Sequence, residues 1–216
     1  GKYFLKKQNR SVGIPESDII KIAIESLGLS QVKEFNAEKN IIEYYLDKIS
    51  NKNSKLVYLT AKEFSDEVFR ESPAPGGGSV SSYVGSLGSS LAGMVANLSC
   101  NTRGWEDRVD AFSEIAYNVN KIREDLLFLV DEDSNAFNNI MNAYKLPKNN
   151  EKEKELRLDA INRSTLYAAE VPLRTMKKAY ECYKYIRRLA KEGNQNSISD
   201  SGVACFCVYT SIYGAY

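Results

Sequence analysis

The sequence predicts an all-α main domain built as a helical bundle of long antiparallel helices. Three observations predict it. Two long stretches, 105–144 and 151–191, repeat apolar residues at helical spacing. Helix starts and stops punctuate them, with Thr60-Ala61-Lys62-Glu63 before one apolar run, Leu146-Pro147 after the next and Gly193 after the last. No stretch shows the two-residue alternation of a strand.

The elements follow in order. Residues 1–47 read as a small helical piece. Ile14-Pro15-Glu16-Ser17-Asp18 opens a helix, with Pro and acids in its first turn, and Gly28 closes it. Ile41, Ile42, Tyr44 and Tyr45 mark a second short helix. Polar turn formers over 48–54 read as a linker. The main domain then occupies 55–216, opening on the Thr60–Glu63 capping box. The loop Ser72-Pro73-Ala74-Pro75-Gly76-Gly77-Gly78-Ser79 precedes a helix running to Cys100. On that helix Val80, Tyr83, Val84, Leu87, Leu91, Met94, Val95 and Leu98 form an apolar series, and Ser, Gly and Ala fill the gaps. Such a helix approaches its neighbours closely. A long helix spans about Trp105 to Tyr144. The next runs from Glu151 to about Lys191, with Pro172 expected to kink it. Ser197-Ile198-Ser199-Asp200 resembles a capping box and opens the last helix.

Composition narrows the function. The chain has 216 residues, 43% hydrophobic and 26% charged, as in ordinary globular proteins. Lys and Arg number 29 and Asp and Glu 28. That balance argues against nucleic acid as the main partner. No apolar run reaches the ~20 residues that cross a bilayer, and the first residues lack the apolar core of a signal peptide. The chain begins without Met and ends on apolar side chains, so it is expected to be a piece of a longer polypeptide. There is no histidine, which removes the commonest general base and metal ligand. Proton transfer must fall to carboxylates, Lys, Tyr or Cys. Cys100, Cys182, Cys205 and Cys207 form no C-x-x-C pair. They are expected to be reduced, as in the cytoplasm, and to bind no metal.

One residue breaks the helical pattern. The stripe of the long helix runs Phe112, Ile115, Val119, Ile122, Leu126, Leu129, then Asp133, then Ala136, Phe137, Ile140 and Tyr144. At about 100° per residue, Asp133 falls within about 20° of Leu126, whereas Asp131 falls about 140° away and is expected to be solvated. Burying a charged carboxylate is costly. The escapes are a cationic partner, several hydrogen bonds, or a raised pKa. From the residues alone two readings stand: a proton-transfer group, or a structural Asp paired with an Arg or a helix N-terminus.

Gly76-Gly77-Gly78-Ser79 is the second feature. A glycine run at a helix start bares backbone N–H groups that suit an anion such as a carboxylate. It lacks the Lys-Ser/Thr of a P-loop. Its other reading is a flexible turn that lets two helices cross closely.

Ser72–Val80 resembles the signature of the formimidoyltetrahydrofolate cyclodeaminase family and its methenyltetrahydrofolate cyclohydrolase relatives. Further stretches are similar and come in the same order: Met94–Leu98, Leu129–Asp133 with Ala136-Phe137, Lys145–Lys148, Glu170-Val171-Pro172 and Gly193–Asp200. The family usually has Pro at the position of Gln195. Lys2–Leu5, Ser26–Leu29 and Ile41–Tyr44 resemble the C-terminal end of a formimidoyltransferase unit, an α/β domain whose short helical tail would be 1–47. The order resembles the bifunctional formimidoyltransferase-cyclodeaminases. The resemblance implies a lyase in histidine degradation that converts 5-formimidoyltetrahydrofolate to 5,10-methenyltetrahydrofolate and ammonia. Transfer of the formimidoyl group to or from glutamate would reside outside this chain. It also implies tetrahydrofolate, possibly polyglutamylated, as substrate carrier, no metal, no nucleic acid, no membrane span, a cytoplasmic setting and a homo-oligomer. By the same resemblance Asp133 is the catalytic residue. The candidates for substrate binding are Gly76, Gly77, Gly78, Ser79, Arg103, Lys145, Lys148 and Asp200. For Lys145, Lys148 and Arg103 the rival reading is a solvated charge, and for Asp200 a helix cap. The competing functions are a methenyltetrahydrofolate cyclohydrolase and a non-catalytic helical assembly module.

Overall fold

The computed structural model describes residues 1–32, 34–50 and 55–216. No strand occurs among the described residues. The first segment folds as α1 (Lys2–Lys7), α2 (Glu16–Ser26), α3 (Leu29–Val32), α4 (Ala37–Asn40) and α5 (Ile42–Ser50). Gly28 ends α2 at φ +64°, a left-handed conformation that glycine adopts without strain. Because α5 reaches Ser50, the expected linker begins inside a helix, and its 51–54 part lies outside the described residues.

α6 (Ala61–Phe69) opens on a complete capping box: Glu63 N–H donates to Thr60 Oγ1, and Thr60 N–H donates to the Glu63 carboxylate. Phe64 of α6 packs on Tyr83, with ring centroids 5.0 Å apart.

Four long helices then form the bundle: α7 (Gly77–Cys100), α8 (Val109–Tyr144), α9 (Glu151–Glu192) and α10 (Ile198–Gly214). Successive members are antiparallel. Ser79, at the start of α7, meets Val130 of α8, while Cys100 at its end meets Val109. Lys178 of α9 pairs with Asp125 of α8 at 3.0 Å, and Arg157 reaches the Tyr144 carbonyl. α7 and α9 lie parallel across the diagonal. There Ser82 Oγ and Thr175 Oγ1 are 2.8 Å apart, and Ser89 Oγ donates to Cys182 Sγ at 3.6 Å. Val95, Val119, Leu126, Leu129, Val171 and Val208 form the fully buried centre. Each such side chain contributes about 1.5–3 kcal/mol through burial.

α7 packs by its small residues. Ser79, Ser82, Gly85, Ser86, Gly88, Ser89, Ala92 and Ala96 face the other helices. A Cβ on Gly88 would stand 2.9 Å from the Ala204 carbonyl oxygen and 3.0 Å from Cys207 Cβ. The apolar series read from the sequence points largely outward: Leu87, Met94 and Leu98 are 44%, 39% and 42% exposed. Only Val95 of that series is fully buried. α10 and α8 come so close at Gly85 and Gly88 that larger side chains have no room there.

Pro172 lies within α9, which runs on past it to Glu192. One expectation is corrected. Ser197 gives no side-chain cap to α10, which starts from a 3-10 turn, so the capping-box likeness there is not realised. The first turn of α7 already includes Gly77, Gly78 and Ser79, and Gly76 is its N-cap.

The first segment docks on the bundle. Val12 N–H donates to Ser113 Oγ at 3.0 Å, and Asn97 Nδ2 donates to the Gly13 carbonyl at 2.9 Å. Gly13 lies against Ala116 so closely that a Cβ would overlap it.

Candidate active site

Asp133 and the glycine run meet. Antiparallel packing lays the start of α7 against residues 130–134 of α8. Ser79 N–H donates to Asp133 Oδ2 at 2.8 Å. Ser79 Oγ lies 2.9 Å from the Val130 carbonyl and 3.0 Å from Asp133 Oδ2, two acceptors sharing one proton, and 3.2 Å from Ser134 Oγ. Gly78 has no room for a side chain, since a Cβ would overlap Asp133 Oδ1. The anion at this helix start is the chain's own carboxylate, seated where free N–H groups and the helix dipole favour negative charge. Of the escapes open to a stripe-facing Asp, hydrogen bonding is the one adopted. Asp133 is half-buried, and Oδ1 receives no hydrogen bond among the described residues. It is therefore a carboxylate fixed along its Oδ2 edge, with Oδ1 in the space a Gly78 side chain would take.

The other candidates do not all join it. Lys145 and Lys148 are exposed beyond the end of α8, Lys145 about 18 Å along the axis from Asp133 at 1.5 Å per residue. Arg103 is exposed past the far end of α7, about 30 Å from Ser79 by the same rise. Asp200 lies near that far end too. Asn194, just before α10, donates to Ser99 Oγ at 2.9 Å, which ties the start of α10 to the end of α7. Within one chain, Gly78 and Ser79 adjoin Asp133, with Gly76 and Gly77 at the same helix start, and Arg103 and Asp200 sit at the opposite end of the bundle.

Asp131 is the correction of most chemical interest. It is half-buried rather than solvated, and its Oδ1 accepts the Leu56 N–H at 2.6 Å. It lines a cavity of about 480 Å³ with Lys55, Tyr58, Phe128 and Glu132. Burial pushes its pKa above the ordinary 3.8, against the lowering effect of the Leu56 N–H and Lys55. Glu132 accepts a short hydrogen bond from the Tyr167 hydroxyl, and this raises the tyrosine pKa. Wheel position missed Asp131 because the segment 55–58, remote in sequence, folds over the outer side of α8. Among the described residues no group of three or more His, Cys, Asp or Glu could hold a metal ion.

A family model described as Formiminotransferase-cyclodeaminase matches residues 60–216, nearly three-quarters of the chain and all of the four-helix bundle. The chain belongs to the formiminotransferase-cyclodeaminase family. A second model, the Formiminotransferase domain, matches residues 1–47. The formimidoyltransferase-cyclodeaminase of Gallus gallus is 32% identical over 215 residues, covering 100% of this chain and 39% of the relative. The chain thus spans about two-fifths of the length of that relative. A methenyltetrahydrofolate cyclohydrolase of Methylorubrum extorquens is 31% identical, covering 72% of this chain and 75% of its own length. The crystal structure of formiminotetrahydrofolate cyclodeaminase from Thermotoga maritima is similar at a TM-score of 0.63 and 31% identity. That match covers 73% of this chain and 74% of the other. Family membership and the helical fold agree with the resemblance read from the motifs.

Proposed function

We propose that this chain carries the cyclodeaminase activity of a two-unit folate enzyme, with the formimidoyltransferase unit entering at 1–47 and the junction near 48–54. The single observation that carries the reading is Asp133 held by the Ser79 N–H and hydroxyl at the glycine-rich start of α7. The substrate is 5-formimidoyltetrahydrofolate, and Asp133 is the catalytic residue.

The chemistry needs one carboxyl group. In the protonated substrate, N10 attacks the formimidoyl carbon on N5 and forms the C–N10 bond. The adduct carries a proton on N10 and an NH2 on the carbon. Asp133 takes the N10 proton and returns it to the NH2, and ammonia then leaves with the C–N bonding pair. The product is the 5,10-methenyl cation, so charge and protons balance. Gly78 supports this role by leaving space for the carboxylate, and Ser79 by fixing its Oδ2 edge. A single group acting as base and then acid fits the absence of histidine.

A cytoplasmic setting is supported by four cysteines that are free in the structure. A homo-oligomer is supported by the outward apolar stripe of α7. Polyglutamylated folate is compatible with the reading.

The test is Asp133→Asn in the intact enzyme, assayed for ammonia release. Loss of about 10²- to 10⁴-fold in kcat is expected for a general acid–base group. Turnover near wild type would remove Asp133 from the mechanism. The similarity to the Methylorubrum cyclohydrolase favours a second reading, hydrolysis of the methenyl product. Hydrolysis of 5,10-methenyltetrahydrofolate without ammonia release from the formimidoyl substrate would select it.

A further inference from the structure

The outward side chains of α7 follow a rule of their own. Val80, Val84, Leu87, Leu91, Met94 and Leu98 are exposed or half-buried and recur at spacings of 4, 3, 4, 3 and 4 residues. That is the heptad seam by which one helix packs along another. The other bundle helices meet α7 on its small-residue side instead. Gly13 and Pro15 of the first segment border the Met94 end of the seam and leave Met94 and Leu98 exposed. The spacing reads the same from either end. A second copy lying antiparallel therefore pairs Val80 with the partner's Leu98, Val84 with the partner's Met94 and Leu87 with the partner's Leu91. Each pair sets an a position against a d position, and the contacts are reciprocal, as a twofold axis requires.

We propose that two copies pair in this way and that each Asp133 site is completed by Arg103 of the partner subunit, which donates hydrogen bonds to the substrate bound there. This rests on the cyclodeaminase reading above. Within one chain Arg103 stands about 30 Å from Ser79. Its side chain makes no ion pair or hydrogen bond among the described residues, and Asp133 makes no ion pair among them either. The seam register, carried past the helix ends, sets the partner's Arg103 opposite Pro75, next to the N-cap Gly76. That is the mouth of the glycine-rich start where Asp133 is seated. Charge favours the same direction. The seam is neutral, Glu71 and the Asp133 carboxylate stand at its start, and Arg103 stands just past its end. Antiparallel copies bring these unlike charges together, whereas parallel copies would set one Arg103 on the other.

The experiment forms hybrids of the intact enzyme and measures ammonia release from 5-formimidoyltetrahydrofolate. Arg103→Gln alone should raise KM about 10-fold, the lower end for a lost charged hydrogen bond, with kcat little changed. Asp133→Asn and Arg103→Gln chains are then produced together with different tags and isolated through both. In such a hybrid the chain that keeps Asp133 has lost its own Arg103, and its partner supplies one. The expected result is the wild-type KM at about half the wild-type turnover, because one site in two is intact. A hybrid with the KM of Arg103→Gln would show Arg103 acting within its own chain and overturn the proposal. An unchanged KM in Arg103→Gln, or failure to recover hybrids, would overturn it too. The register is read separately. Val84→Cys combined with Met94→Cys should give an oxidant-linked dimer and neither substitution alone should, with wild type as the control for the native cysteines. Linkage through Val84→Cys alone would mean a parallel pair and would also overturn the proposal. Absence of ammonia release by wild type would overturn the cyclodeaminase reading, whereas the cross-link would still decide the pairing.

Discussion

Two aspartates two residues apart have opposite environments, because a helix turns about 200° between them. Asp133 meets the start of α7 and receives two donors, whereas Asp131 turns to the outer side of α8, where the 55–58 segment covers it. Burial keeps the Asp131 pKa above its ordinary 3.8. For a carboxyl whose folded pKa is raised, the unfolded chain gives up its proton first as pH climbs. Stability contributed by this group is therefore present in acid and is lost as pH rises from 3.8 through the folded value. Asp131→Asn keeps the oxygen that accepts the Leu56 N–H and removes the buried charge. The expected outcome is a Tm above wild type at pH 7, with the difference shrinking toward pH 4, measured by thermal melts across that range. A lower Tm at pH 7 would contradict the burial argument. Asp133 was legible from wheel position because its environment comes from the regular packing of its own stripe. Asp131 was not, because its cover comes from a segment 75 residues earlier in the chain.

At the scale of one element, α7 decides how tightly the bundle closes. Its glycines and serines bring it within reach of α9 across the diagonal as well as α8 and α10 at its sides. Gly88→Ala tests this. Helix propensity favours Ala over Gly by about 1 kcal/mol, yet the new Cβ would meet the Ala204 carbonyl at 2.9 Å and Val208 Cγ2 at 3.0 Å. A carbonyl on a neighbouring helix yields only if the helix moves. Overpacking of this kind costs about 1–3 kcal/mol, so a net loss of stability in urea unfolding is expected, and a gain would show that α10 shifts freely. The position of α7 between two loops, its length and its close packing were all readable from the sequence. Which face turns inward was not. Hydrophobic periodicity assigns the large side chains to the core, and here a neighbour at close range reserves that face for small ones. α8 carries large side chains on its inner face opposite the small ones of α7, and its stripe from Phe112 to Leu129 is buried as periodicity predicts. Past Ala136 the same stripe becomes partly exposed, because α8 outruns α7.

For the whole molecule, the inversion of α7 leaves an apolar surface on the outside. No charged residue lies between Glu71 and Arg103, and no helix is long and apolar enough to cross a membrane among the described residues. α10 adds exposed aromatic residues, among them Phe206, Tyr209 and Tyr213. Burying a large apolar side chain contributes about 1.5–3 kcal/mol, so water-facing Leu87 and Leu98 represent stabilisation that a second copy could supply by packing its own α7 there. A stripe of this kind without charges at its centre is the composition of a homomeric interface. Leu87→Glu combined with Leu98→Glu places two charges on that face and touches neither Asp133 nor the inner small-residue face. Sedimentation equilibrium of the intact protein should then give a mass lower than wild type by a whole-number factor, with helix content by circular dichroism unchanged. Wild-type mass in the double variant would mean that subunits meet elsewhere and that the outer face of α7 is simply wet.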